Sequence, residues 1–239
     1  MHWTRDRTGR FPERPYYPRQ ELEYECEHLI TTFLGGRHGA AAFPVATDDL
    51  TVLIEGLGAA LDLYADLSAY ERAVQGFTEF VPGRRPLVRI SRRLSATPRY
   101  ENRLRTTLAH ECGHVWLHGA LWEARWRLGH LFGDQGRVAY VCEQATMLRA
   151  PAADWAEWQA GYVSGALLMP AGALRDVIRP FLEQEQALRG PFPVASPAGR
   201  RLVQEIMAAF AVSAEAARVR LLQRGVLTEA PAVQGWLFT

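Results

Sequence analysis

Lysine is absent from the 239 residues, and all 27 basic side chains are arginines. Arginine keeps its charge at any ordinary pH and pairs well with carboxylates. Among so many alanines, glycines and prolines, the bias reads as compositional. Charge of one sign is also lacking: 27 basic residues face 26 acids, a formal net charge of +1. That balance excludes a global field drawing the chain to nucleic acid or to a membrane surface. Cysteine is scarce, with only Cys26, Cys112 and Cys142. An odd number at wide spacings excludes a disulfide framework and fits a reduced, cytoplasmic setting. No apolar run reaches the roughly eighteen residues of a membrane span. The charged N-terminus is not followed by the apolar stretch of a signal peptide.

What is there is ordinary globular material, 48% hydrophobic and 22% charged. The length suits one good-sized core, or a catalytic domain with a small appendage. Residues 1–20 hold five arginines, two acids and three prolines with little periodicity, and read as a loose basic arm. Helical periodicity begins near Glu21, where Leu22, Cys26, Leu29, Ile30 and Phe33 share a stripe that Gly35-Gly36 is expected to end. Leu50, Leu53, Ile54 and Leu57 signal a second helix, capped at Thr47 or Asp48.

Period two then takes over in Leu61-Leu63-Ala65, Phe77 to Val81 and Leu87 to Arg93. These predict a small, mostly antiparallel sheet of three or more strands. Thr97-Pro98 opens a helix to about His118, and a Trp- and Arg-rich helix covers about Leu121 to Leu131. Residues 132–153 read as irregular. Asp154 caps a helix to Met169, with Glu157 three residues on as in a capping box, and Pro170 stops it. A further helix, perturbed by Pro180, precedes a Pro/Gly linker from Arg189 to Gly199. Two short helices flank Val212-Ser213. The order is α+β: a main domain over 21–190, with the sheet packed on the helix that Thr97-Pro98 opens, and a small helix-turn-helix-like appendage over 200–239.

His110-Glu111-Cys112-Gly113-His114 carries the chemistry. Histidines four residues apart on a helix point the same way, about 6 Å apart, and can reach one ion. The intervening glutamate lies beside that face and can address water rather than the metal. In this HExxH arrangement zinc acidifies water and polarises the scissile carbonyl, while Glu111 takes and passes on the proton. Gly113 offers close approach for a neighbouring element. The competing reading is a helix with two structural histidines.

The third ligand is less direct. His110 and His118 sit about 12 Å apart along a straight helix, so they cannot share one small ion. His118 therefore stands behind a ligand or is a partly buried polar residue. A third histidine six residues after the second would fall at Ala120. A downstream carboxylate remains, from Glu143 or Glu157, with Glu123 less convenient; Glu157 could equally be a glutamate that only caps its helix. Cys112 lies two residues from each histidine and reads as a buried free thiol. Cys142 has a minor reading as a regulatory or second-metal thiol. Trp116, Trp122, Trp126, Trp155 and Trp158 could line a groove or pack around the metal helix. Arg218, Arg220 and Arg224 give the last helix a helix-turn-helix flavour, but five arginines and three glutamates in the last forty residues argue against direct DNA contact.

Leu108 to His118 resembles the metal helix of the ImmA/IrrE family of metallo-endopeptidases. Glu157-Trp-Gln-Ala-Gly-Tyr-Val-Ser-Gly-Ala-Leu-Leu-Met-Pro170 resembles its second signature, in which a glutamate ligand begins a helix ending Leu-Leu-Met-Pro. The pair in this order is much more specific than HExxH alone. The resemblance spans Glu21 to about Glu229 and implies a zincin-like domain, with His110, His114 and Glu157 as metal ligands and Glu111 as general base. It favours Glu157 over Glu143. Zn2+ is the implied metal, with Mn2+ admitted by the same donors. The implied partner is a helix-turn-helix transcriptional repressor, cleaved as substrate. Gly161 stands where the family usually has Asn or Asp. The runner-up function is non-catalytic: a metal-stabilised regulator that captures a repressor or toxin-module partner without cutting it.

Overall fold

The computed structural model describes residues 1–70, 74–129, 136, 138–143, 154–185 and 191–229; the side chain of Glu143 is not among what is described. Strands β1 (His2–Arg5) and β2 (Glu13–Tyr16) pair antiparallel in the stretch expected as a loose arm. The hairpin holds because Phe11 is buried against Trp122 and Trp155, and because Asp6 accepts hydrogen bonds from the Phe11 and Thr8 amides. Helix α1 (Arg19–His38) runs through Gly35-Gly36 and stops at Gly39, whose φ of 82° is the left-handed conformation that ends the helix. Beyond the glycine pair, Arg37 and His38 each approach Asp49 within 2.9 Å, which holds the last turn of the helix in place. Helix α2 (Thr47–Gly56) follows, flanked by Ala46 instead of a polar cap.

The four-stranded sheet has the order β3 (Ala60–Ala65), β5 (Leu87–Ser91), β4 (Val74–Phe80) and β6 (Val138–Glu143). β4 pairs antiparallel with both neighbours, whereas β3 and β5 are parallel. The sheet is therefore mixed, and mostly antiparallel as expected. β6 falls in the span read as irregular. All six of its residues face strand partners in β4, with Tyr140 opposite Thr78 and Cys142 opposite Gly76. A Cβ on Gly76 would stand 2.9 Å from the Arg89 carbonyl and 3.2 Å from the Thr107 side chain, so glycine lets the sheet approach the helix behind it.

After the short helix α3 (Arg92–Ser95) and a 3-10 turn at Pro98–Tyr100, helix α4 (Glu101–Gly129) crosses the sheet without a break. The two helices expected over this stretch are thus one, since nothing near Gly119-Ala120 interrupts the ladder and Trp122 and Trp126 are buried beyond it. Helix α5 (Trp155–Leu168) lies against α4 and is buried along nearly its whole length. Helix α6 (Ala171–Gln184) includes Pro180, and the segment read as a linker contributes β7 (Phe192–Pro193) and the start of α7 (Pro197–Phe210). Helix α8 (Ala214–Gln223) and β8 (Leu227–Thr228) complete the described chain, with Ser213 capping α8 through the Ala216 amide. The core cluster joining Leu22, Leu108 and Leu167 also takes in Leu202, Phe210 and Leu221 of the last helices.

Arg220 fastens that last helix. Fully buried, it forks onto both carboxylate oxygens of Glu23 at 2.5 and 2.8 Å and donates to the Met169 carbonyl at the end of α5. A guanidinium so engaged is not offered to DNA. Burial alone would raise the Glu23 carboxyl, but Arg220, with Tyr162 and Arg224, outweighs it and holds the group below its ordinary value of 4.5. A carboxyl lowered by folding stabilises above its unfolded pKa and loses that contribution as pH falls. Glu23→Gln leaves the buried guanidinium without its counter-charge and should cost about 3–5 kcal/mol in urea unfolding at pH 7. The gap from wild type should narrow as pH falls below 4.5.

Candidate metal centre

α4 and α5 meet at backbone distance. A Cβ on Gly113 would lie 3.0 Å from the Ala160 Cα and 3.2 Å from the Val163 Cβ. The close approach foreseen for Gly113 is thus with the helix that bears Glu157. His110 and His114 are one helical turn apart, fully buried, and both turn Nε2 toward that helix. His110 Nε2 is 3.1 Å from Glu157 Oε2, His114 Nε2 is 3.3 Å from Glu157 Oε1, and the two nitrogens are 3.1 Å apart. These are the three residues among those described whose donor atoms cluster closely enough to hold a metal ion.

These separations, which involve both carboxylate oxygens of Glu157, suit a small divalent cation between the three residues. A tetrahedral shell with bonds of about 2.0–2.1 Å has edges of roughly 3.3 Å. Two imidazole nitrogens and a carboxylate are also the donor set that zinc accepts. A proton can bridge one pair of these atoms, whereas a cation meets all three. Glu157 is therefore not a capping glutamate. Asp154, expected to cap α5, makes no capping hydrogen bond and instead pairs with Arg10 at 2.9 Å.

Glu111 is fully buried beside the triangle. Its Oε2 accepts a 2.6 Å hydrogen bond from Thr78 of β4, and its Oε1 has no hydrogen-bond partner among the described residues. Burial raises its proton affinity, opposed by His114, His110 and the Thr78 hydroxyl. Burial likewise pushes Glu157 up, but the two histidines prevail and hold it below the carboxylate range. His114 moves the other way: burial lowers it, and the Glu157 carboxylate more than restores it. Tyr140 of β6 stacks on the His114 ring at 4.6 Å and 18°, closing the site, and burial pushes its hydroxyl up to about 12.

The other candidates separate cleanly. His118 does stand behind a ligand, with its Nδ1 3.1 Å from His114 Nδ1, and burial and His114 push it down to about 3, so the ring is neutral. Glu123 is exposed and paired with Arg127. The carboxylate of Glu143 lies outside what is described. Cys112 is buried in the main core, its thiol pushed up to about 12 by burial, while Cys142 is buried in β6. Trp122, Trp126 and Trp155 pack with Phe11, Phe80 and Tyr140 in a second core cluster, so packing is the better reading for them. Sequence reasoning missed Thr78, Tyr140 and Gln159. Thr78 and Tyr140 depend on a strand pairing across 60 residues of chain, for which no local signal exists, and Gln159 reads locally as one more helical polar residue.

A helix-borne His-Glu-x-x-His with a carboxylate from the next helix defines a zincin-type metallopeptidase centre. The chain matches the IrrE N-terminal-like domain, a peptidase family, over residues 61–222, and it belongs to that family. The match runs from β3 to α8, so the hairpin, α1 and α2 lie outside it. A search of characterised proteins finds no match.

Gly113→Val should force α5 away from α4, costing about 1–3 kcal/mol in thermal unfolding and loosening the hold on zinc in dialysis. Gly119→Ala is the control: its added Cβ would meet Phe80 at 3.7 Å, an ordinary contact, and both readouts should stay at wild-type values.

Proposed function

We propose that this metallopeptidase is a zinc-dependent endopeptidase that hydrolyses a bond in one specific protein partner, a helix-turn-helix transcriptional repressor, in the cytoplasm. The observation that carries the catalytic reading is Glu111: a fully buried carboxylate beside the donor triangle, with Oε2 held by Thr78 and Oε1 without a hydrogen-bond partner among the described residues. His110, His114 and Glu157 would hold the ion. When bound, zinc supplies a Lewis acid that acidifies water and polarises the scissile carbonyl. Mn2+ suits the same donors.

Glu111 accepts the proton of the attacking water at Oε1 and delivers it to the departing amine. The Thr78 hydroxyl fixes the carboxylate's rotation, so that the same oxygen faces the reaction in both transfers. A raised proton affinity suits the task, because a base must hold its proton long enough to pass it on. Aromatic burial around the site excludes bulk water and strengthens each of these interactions.

Enclosure supports selectivity. His110, Glu111 and His114 have no exposed surface, and Tyr140 lies over His114. A site so enclosed favours a partner that binds this protein specifically over an arbitrary unfolded chain. That the partner is a repressor rests on likeness to the ImmA/IrrE enzymes. A non-catalytic regulator would need the same three ligands but not Glu111.

Glu111→Gln should abolish cleavage of the repressor encoded nearest the gene while zinc content by metal analysis stays at wild-type level. The wild-type enzyme should leave casein largely intact. Intact repressor under all metal conditions would sink the proteolytic reading, and rapid casein digestion would replace it with a broad-specificity peptidase.

A further inference from the structure

Behind His114 a line of buried polar atoms leads away from the metal triangle to the N-terminal hairpin. His114 Nδ1 is 3.1 Å from His118 Nδ1, His118 Nε2 is 3.1 Å from Gln159 Oε1, and Gln159 Nε2 donates to the Pro15 carbonyl at 3.1 Å. The two histidines have no exposed surface and Gln159 is 2% exposed. These groups come from α4, α5 and β2, three elements brought together only by the fold.

The direction of every hydrogen bond follows from the last one. A carbonyl oxygen only accepts, so the amide nitrogen of Gln159 must face Pro15 and its Oε1 must face His118. An amide oxygen also only accepts, so His118 carries its proton on Nε2. A neutral imidazole has one N–H, which leaves His118 Nδ1 bare and able to accept from His114 Nδ1–H. His114 is then left with a bare Nε2, the atom that faces His110 and Glu157.

We propose that His118 and Gln159 are positioning residues of the metal site, forming a one-way hydrogen-bond relay from the Pro15 carbonyl that locks His114 in the tautomer able to ligate through Nε2. The relay rests on the metal reading above. It makes the hairpin, which lies outside the family match, part of the site's support. The hairpin holds the start of α5 at two further points: Trp155 Nε1 donates to Asp6 at 3.0 Å, and Arg10 pairs with Asp154. Glu157 lies on the first turn of that helix.

The test is zinc affinity of the full chain, stripped of metal and titrated against a chromophoric chelator. Gln159→Leu keeps the volume but ends the relay, and zinc binding should weaken by about 10–100-fold, as should His118→Phe. Gln159→Glu, as the neutral acid, keeps an acceptor facing His118 and a donor facing the Pro15 carbonyl, and should hold zinc within a few-fold of wild type. A packing role predicts the reverse, with leucine tolerated and a buried acid damaging. Nitrogen-detected NMR of the zinc-loaded wild type needs no variant: His118 should carry its proton on Nε2 and His114 on Nδ1. Wild-type affinity in Gln159→Leu, equal damage from leucine and glutamate, or a His118 proton on Nδ1 would each overturn the relay. A wild-type chain that takes up no zinc would instead overturn the metal reading on which the relay stands.

Discussion

At Gly113 the backbones of α4 and α5 come so close that a methyl group would stand 3.0 Å from the Cα of Ala160. That approach turns two separate polar helices' edges into one donor triangle, because Glu157 is one helical turn before Ala160 and His110 and His114 flank Gly113. Three donors meeting within 3.3 Å inside a hydrophobic core would be a costly arrangement for an empty protein. Its retention makes sense where a cation neutralises the carboxylate and takes up the nitrogen lone pairs. The rest of the fold can be understood as holding the two helices in that contact.

Three supports do so from different sides. The sheet presses on α4 through Gly76 and supplies Thr78 to Glu111. The N-terminal hairpin grips the start of α5 through Asp6, Arg10 and Pro15. The buried Glu23–Arg220 pair holds the end of α5 at the Met169 carbonyl. Among the described residues, no helix is long and apolar enough to cross a membrane.

Legibility in the sequence followed the range of the forces involved. The His110/His114 pair could be placed because helical periodicity alone sets residues four apart on one face. The first three strands of the sheet showed as alternation. Glu157 was among several carboxylates by spacing, and only the Leu-Leu-Met-Pro pattern after it favoured it. What stayed hidden was decided at a distance. Gly35-Gly36 reads as a helix stop, yet the pairing of Arg37 and His38 with Asp49 beyond it keeps α1 helical to His38. Gly119-Ala120 reads as a break, yet buried tryptophans continue α4. The arginines and prolines of the first twenty residues resemble a solvated arm, and nothing local reveals that Phe11 has an aromatic pocket to enter or that the Pro15 carbonyl has Gln159 to receive. Arg220 reads as a surface cation on a helix and is in fact fully buried.

The central claim is that one divalent ion sits between α4 and α5, held by His110, His114 and Glu157. Anomalous diffraction at the zinc edge from crystals of the zinc-loaded protein tests it most directly. The predicted result is a single strong peak about 2.0–2.2 Å from His110 Nε2, His114 Nε2 and a Glu157 oxygen, with Glu111 outside that shell. A peak elsewhere, or one ligated by Glu111 in place of Glu157, would contradict the account.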